Sequence, residues 1–315
     1  MKILTRTQTA EFLQEKDRYV ILTHRRPDGD TLGSSALLCR GLRQLGKTAH
    51  ILRNPEITAK YTHLHQGLTT EQVTDGDILI AVDTASKGML PEAFAQYADR
   101  ITLRIDHHAT AESFTETELV EPETAACGEL VYEVLTQMGA KLDEQMADAL
   151  YTAISTDTGC FRYANTTANT LAVASQCAKV SGNLFAINQA LFDTNSLGRL
   201  RLQGWLVEHA IFLQDGKIAI CALPKSVEKA LNLTEDDLEN ISGFPRSIEG
   251  VKIAATIRED NETRVKISVR AVPGYDAAAI CQNFGGGGHK GAAGASMSRS
   301  LDEAVEAIKN VMPKL

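Results

Sequence analysis

Three short apolar runs, each ending in an imidazole or a carboxylate, constrain the fold more than any other feature of the chain. Residues 19–24 read Tyr-Val-Ile-Leu-Thr-His24, residues 77–83 read Asp-Ile-Leu-Ile-Ala-Val-Asp83, and residues 101–108 read Ile-Thr-Leu-Arg-Ile-Asp106-His107-His108. Continuous apolar runs of this length are the pattern of strands covered on both faces, as in a parallel sheet. After the first run a helical pattern begins at Leu32 and closes at Gly46, and a further strand is expected over residues 48–53. That β-α-β order predicts a parallel sheet, in which sites form at the carboxyl ends of the strands. Three strands ending in His or Asp therefore bring those groups into one crevice.

The turn after the first run carries His24, Asp28 and Asp30, with Pro27 and Gly29 between them. The three side chains converge only if the backbone folds tightly, which proline and glycine allow. Oxygen-rich ligands with one nitrogen suit manganese or magnesium better than a closed zinc site. Taken alone, the turn fits a surface Asp-Gly loop equally well; the other two strand ends favour the metal reading. Small residues Gly33, Ser34 and Ser35 open the following helix and allow close approach of an anion. Helical spacing then covers residues 128–138, 143–155, 167–180 and 183–192. Asp157, in Thr156-Asp157-Thr158-Gly159, lies near a helix C-terminus, where a carboxylate is disfavoured unless a cation is close.

Residues 196–208 read as a connecting helix, and beyond it the pattern changes. Residues 209–213 and 217–222 flank a three-residue turn, Gln214-Asp215-Gly216, and residues 251–258 and 264–270 form a second hairpin. In the last of these strands Val265, Ile267 and Val269 alternate with Arg264, Lys266, Ser268 and Arg270, an apolar face against a cationic one. Four consecutive glycines, Gly285 to Gly288, precede His289 and Lys290, a context that favours a nest of backbone amides for an anion over a flexible linker. The expected fold is α/β. Residues 1–193 form a parallel-sheet domain with helices on both faces, 194–209 connect, and 210–315 form a smaller α+β domain across a cleft, ending in a helix over 301–312.

Composition excludes several classes of function. The net charge of −8 argues against stable binding of long nucleic acid, which depends on neutralising many phosphates. A small anionic substrate stays compatible if metal ions supply local positive charge. Six scattered cysteines without a Cys-x-x-Cys pair argue against a zinc ribbon and a disulfide framework. No apolar run approaches the roughly 20 residues of a membrane span, and the first residues lack a signal-peptide core, so the cytoplasm is the expected compartment and no membrane partner is expected. The oligomeric state is not fixed by the sequence, and a homodimer stays open.

With these motifs assembled, the chain resembles the DHH phosphoesterase family over nearly its whole length. The family triplet stands here as Asp106-His107-His108, accompanied by His24-x-x-x-Asp28-Gly29-Asp30, by Asp83 in Val-Asp-Thr, by Asp157 in Thr-Asp-Thr-Gly, and by the glycine run with His289. The length and layout most resemble the branch of nanoRNases and pAp phosphatases. The resemblance implies two divalent ions, manganese first and magnesium or cobalt as alternatives. One would be held by His24, Asp28 and Asp83, the other by Asp30, Asp83, His107 and Asp157, with Asp83 bridging. It implies that His108 contacts the reacting phosphate. Arg270, Gly286, Gly287, Gly288, His289 and Lys290 would bind the far end of a short substrate. Asp106 is read as orienting an imidazole; Arg25 and Arg26 either touch substrate or are solvated surface, the surface reading being favoured. The implied activity is hydrolysis of short oligoribonucleotides, linear dinucleotides included, to mononucleotides, with removal of the 3′-phosphate from pAp. The alternatives are a cyclic-dinucleotide phosphodiesterase and, from another class, a catalytically silent nucleotide-binding module.

Overall fold

The computed structural model describes residues 2–109, 112–238 and 241–315. The chain divides into two compact units, Met1–Thr194 and Asn195–Leu315. The first holds β1 (Lys2–Ile3), α1 (Arg6–Glu15), β2 (Tyr19–Leu22), α2 (Gly29–Gln44), β3 (Ala49–Leu52), β4 (Thr69–Thr70) and β5 (Ile78–Val82). It continues with β6 (Ile101–Asp106), β7 (Thr117–Val120), α3 (Cys127–Gln137), α4 (Glu144–Asp157), α5 (Ala168–Val180) and α6 (Leu184–Asn188). A π-helical turn, Gln189–Asp193, extends α6 over the last residues of the expected fourth helix.

The seven strands pair in parallel throughout, in the order β1-β7-β6-β5-β2-β3-β4, as the apolar runs predict. Side chains alternate between two apolar layers. Tyr19, Ile21, Ile80, Val82, Leu103 and Ile105 pack with Leu37 of α2 and Leu130 of α3. Val20, Leu22, Leu79 and Ala81 pack on the opposite face with Leu90, which follows one 3₁₀ segment, and Phe94, which lies within another; neither segment is an α-helix. The chain runs from β2 outward to β3 and β4, then returns to β5 on the other side of β2. The β2–β5 boundary is thus the point where strand order reverses, where the carboxyl ends of the strands open a crevice.

Helix α2 begins at Gly29, three residues before the apolar pattern suggests. The reason is the Asp28 side chain, whose Oδ1 accepts from the amides of Asp30 (3.1 Å) and Thr31 (3.2 Å) and so caps the helix. Asp30 consequently sits in the first helical turn. Helix α2 lies against α4 at very close range: a Cβ placed at Gly33 would stand 2.3 Å from the Ala149 carbonyl oxygen and 2.9 Å from the Ala153 amide.

The second unit holds α7 (Leu197–Glu208), β8 (Ile211–Leu213), β9 (Ile218–Leu223), α8 (Lys225–Ala230), α9 (Glu235–Leu238), β10 (Ile253–Asn261), β11 (Arg264–Ala271), α10 (Ala277–Gln282), β12 (Gly287–Gly288), β13 (Ala292–Met297) and α11 (Leu301–Val311). Both hairpins form, but β9 and β10 pair in parallel, giving a mixed sheet of order β12-β13-β11-β10-β9-β8. The β8–β9 turn has four residues rather than three. Gln214, Asp215 and Gly216 are all left-handed, and Lys217 completes the reversal by donating its amide to the Gln214 carbonyl. Helix α7, read in the sequence as a connector, packs with Cys221 and Leu223 through Leu202 and Leu206 and belongs to this unit. Among the described residues no helix is long and apolar enough to cross a membrane.

The close α2–α4 approach has a testable cost. Replacing a helical glycine by alanine ordinarily stabilises by about 1 kcal/mol, but at Gly33 the obstruction is backbone and cannot rotate away. Gly33→Ala is expected to destabilise the first unit by about 1–3 kcal/mol. Urea unfolding followed by circular dichroism measures this, and an unchanged or raised midpoint would contradict the packing described.

Candidate metal centre

The sheet brings the three strand ends together. His24 follows β2, Asp83 follows β5, and His107 and His108 follow β6; α2 contributes Asp28 and Asp30, and Asp157 is the last residue of α4. His24 Nε2 lies 3.6 Å from Asp28 Oδ1 and 3.6 Å from Asp83 Oδ2. His107 Nε2 lies 3.5 Å from Asp30 Oδ2, 3.4 Å from Asp83 Oδ1 and 3.2 Å from Asp157 Oδ2. Asp83 therefore turns one oxygen toward each group. His24, Asp28 and Asp83 present ligand atoms all within 4.8 Å of one another, and so do Asp30, His107 and Asp157.

Backbone carbonyls and amides behind these side chains set their orientation. His24 Nδ1 bonds the Arg25 carbonyl at 2.8 Å and His107 Nδ1 bonds the Thr124 carbonyl at 3.0 Å. Each carbonyl accepts a hydrogen bond from Nδ1–H and leaves Nε2 directed at the carboxylates. Asp30, fully buried, accepts from Ser34 Oγ (2.8 Å), the Cys127 amide (2.6 Å) and the Gly128 amide (3.0 Å) at the start of α3. Asp106, also fully buried, accepts on Oδ1 from the amides of His107 and His108 and bonds His108 Nδ1 at 2.7 Å. Asp106 thus orients the His108 ring. Ser34, four residues beyond Asp30 on one helix, was legible as its neighbour. The partners at Thr124, Cys127 and Gly128 come from distant sequence and carry no local signal.

Two further backbone features close the site. A Cβ at Gly29 would meet the Thr156 side chain at 2.4 Å, so the glycine between Asp28 and Asp30 admits the end of α4 and brings Asp157 beside the turn. Gly29 is not in the left-handed region, so its role is close approach rather than unusual dihedrals. Past Asp157, Gly159, Cys160 and Phe161 all have positive φ, and this left-handed turn stops α4 at the carboxylate. Arg25 and Arg26 are exposed.

The residues present suit a cation. Asp83 Oδ1 is buried without a hydrogen-bond partner, and Asp83 itself holds φ of 53°, a conformation that costs energy for a residue with a Cβ. An orphaned, strained carboxylate between two ligand groups is what a bridging position requires. Charge crowding says the same. Burial and then the charges of Asp83 and Asp157 raise the Asp30 pKa well above the carboxylate range. Burial also lifts Asp157, to about 6, although its His107 hydrogen bond works the other way. Burial opposes charging of the imidazoles, but the adjacent carboxylates of Asp28 and Asp83 raise His24 to about 11, and those of Asp157 and Asp83 raise His107 to about 12. Protons thus supply the positive charge that this carboxylate cluster demands.

The remaining predicted residues lie in the second unit. Arg270 on β11 stands opposite Ala292 of β13, whose carbonyl accepts from the His289 amide at 2.8 Å, so Arg270 and His289 flank one residue. The amides of Gly285, Gly286 and His289 are taken by the carbonyls of Gln282, Cys281 and Ala292. Those three amides are committed within the chain, and Gly287 and Gly288 form the short edge strand β12 rather than an open nest. The glycines serve close packing: a Cβ at Gly286 would lie 2.2 Å from the Gly294 carbonyl, and one at Gly288 2.6 Å from that of Ala292. His289 and Lys290 are exposed.

Comparison with known proteins bears on both units. A model of the DHH family, N-terminal domain, matches residues 18–154, and a model of the DHHA1 domain matches residues 215–314. The chain is 31% identical over 295 residues to the bifunctional oligoribonuclease and PAP phosphatase NrnA of Thermus thermophilus, a match covering 91% of this chain and 87% of that protein. It is 26% identical to the cyclic-di-AMP phosphodiesterase GdpP of Bacillus subtilis over 96% of this chain, but only 48% of that protein is covered. Among solved structures, an exopolyphosphatase-related protein from Bacteroides fragilis has a TM-score of 0.87 at 24% identity, with 97% of this chain and 94% of that chain covered, a likeness of fold.

Because protons occupy the imidazoles that a metal ion would need, ion binding must release them. With His24 at about 11 and His107 at about 12, both rings stay charged in the metal-free chain near neutrality. Affinity is therefore expected to rise with pH, by about tenfold per pH unit for each ion that displaces one proton. Calorimetric titration with Mn²⁺ between mildly acidic and mildly alkaline buffers tests this; affinity independent of pH would refute the ligand assignment.

Proposed function

The chain belongs to the DHH family of phosphoesterases, which are hydrolases, and on that premise we propose that it is a two-metal enzyme hydrolysing short oligoribonucleotides to mononucleotides and pAp to AMP. The observation that carries the reading is Asp83, one buried carboxylate whose two oxygens face two separate ligand groups. The relative from Thermus thermophilus, named for oligoribonuclease and PAP phosphatase activity, supports the choice of substrate.

In this reading His24, Asp28 and Asp83 hold one divalent ion, and Asp30, Asp83, His107 and Asp157 the other. Manganese is the proposed metal, since the donors are mainly carboxylate oxygens with an imidazole on each side. Bound there, the pair supplies Lewis acidity toward phosphate oxygens and lowers the pKa of water to the neutral range. The chain's own contribution is orientation and proton placement. Asp106 holds the Nδ1 proton of His108, which leaves the Nε2 edge to donate to a non-bridging phosphate oxygen as charge builds there. Burial disfavours charge on this ring, while the Asp106 hydrogen bond and the Asp83 charge favour it and raise its pKa. In the second unit, Arg270, Gly286, Gly287, Gly288, His289 and Lys290 are proposed as substrate-binding residues, His289 and Lys290 being exposed. The net charge of −8 favours a small substrate over a long RNA. The cytoplasm is the proposed compartment.

A second reading, hydrolysis of cyclic dinucleotides, draws on the partial similarity to GdpP. A substrate panel of pApA, a short RNA series, a long RNA, pAp and cyclic di-AMP, each with Mn²⁺, separates the two. Fastest turnover of the linear dinucleotide is expected; equal turnover of the long RNA would refute the short-substrate reading, and preference for the cyclic compound would replace it with the second. Asp157→Ala is expected to lower kcat by at least ~10²-fold, and unchanged turnover would reject the metal assignment.

A further inference from the structure

The carboxylate behind His108 has a partner of its own. On β6, Arg104 is two residues before Asp106 and on the same face of the strand, and it stands directly across from Glu118 of β7. Its side chain is only 2% exposed and heads the largest fully buried side chains among the described residues. One guanidinium nitrogen donates to Glu118 Oε2 at 2.8 Å. The other donates to the carbonyls of Ala85 (3.1 Å) and Glu112 (2.9 Å) and stands 3.6 Å from Asp106 Oδ2. The ring of Phe114 covers the guanidinium at 5.1 Å. Glu118 is pinned in turn: Oε1 accepts from Ser113 Oγ and the amides of Phe114 and Thr115.

A buried ion pair is a poor device for stability alone, because desolvation offsets most of the attraction. This one is placed where orientation matters. Asp106 Oδ2 has no hydrogen-bond partner, so the nearest group able to restrain that side of the carboxylate is Arg104. Charges alternate along one line, Glu118 negative, Arg104 positive, Asp106 negative, His108 at the site. Through the Ala85 carbonyl, Arg104 also ties down the segment that follows Asp83. We propose that Arg104, anchored by Glu118, is a positioning residue that braces Asp106 from behind and thereby fixes the His108 ring toward the reacting phosphate.

The proposal rests on the reading of His108 as a phosphate donor, and its test keeps the two apart. Removing Arg104 alone strands Glu118, so Arg104→Met is made both singly and with Glu118→Gln, which keeps an oxygen for the amides of Phe114 and Thr115. With pApA and Mn²⁺, the double variant is expected to lose about 10- to 100-fold in kcat, while KM and calorimetric Mn²⁺ affinity stay within about twofold. Placed on His108→Ala, the same changes should cost nothing more, since their effect passes through the absent ring. NMR of protein labelled at histidine nitrogen should show the hydrogen-bonded Nδ1 proton of His108, identified by its loss in His108→Ala, broadened or lost in the double variant. An unchanged kcat with an unchanged Nδ1 signal would overturn the proposal. So would a loss that persists undiminished in the His108→Ala background, or one that appears in metal affinity instead. Wild-type kcat in His108→Ala alone would refute the reading of His108 and remove the ground of the proposal with it.

Discussion

The structure depends on the crowding of negative charge around Asp83. Four carboxylates, those of Asp28, Asp30, Asp83 and Asp157, meet at the carboxyl ends of parallel strands, with two imidazoles between them. In a buried setting such a cluster is unfavourable without compensating positive charge. The sheet nonetheless assembles it, and the local devices all serve that end. Asp28 caps α2 early, Gly29 and Gly33 admit α4, and the left-handed turn at residues 159–161 stops α4 at Asp157. Asp83 pays in backbone strain for turning an oxygen to each side.

The two faces of the sheet carry different duties. Groups that face the helical layer, Asp30 in α2 and Asp157 at the end of α4, are held by helix geometry and by the amides opening α3. Groups on the other face are held by a polar chain: Glu118, Arg104 and Asp106 lie beside Phe114, which packs with the 3₁₀ layer. His108 is oriented from this second face through Asp106. The arrangement separates charge capture from imidazole orientation, so each can be tuned by its own neighbours.

Much of this was legible in the sequence. The apolar runs specified parallel strands because period-free burial leaves few alternatives, and their polar ends specified where the site would be. His24, Asp83, His107 and Asp157 could be named because each lies at the end of an element whose type was clear, and Asp28 and Asp30 because they lie in the turn after the first strand. The buried partners could not. Thr124, Cys127 and Gly128 act through backbone groups, which every residue possesses, so no residue type announces them. Arg104 was visible only as a charge interrupting an apolar strand, and its cross-strand partner Glu118 needed the register to be found. The glycine run was legible only in part: composition showed that the backbone needed room, but not that the strand Ala292–Met297 packs against it.

The proposed ligand positions also determine when the site can exist. They are spread from residue 24 to residue 157 over β2, α2, β5, β6 and α4, and only His24, Asp28 and Asp30 are near one another in the unfolded chain. Closing such long loops costs entropy that no single ion contact repays before the sheet has formed. A cation therefore cannot nucleate this fold; it is acquired by a nearly finished one. The same geometry holds in reverse, because the last turn of α4 cannot fray without carrying Asp157 away from His107. A bound ion then raises the cost of local opening at that helix end, so retention of metal reports on the integrity of the domain's longest-range contacts.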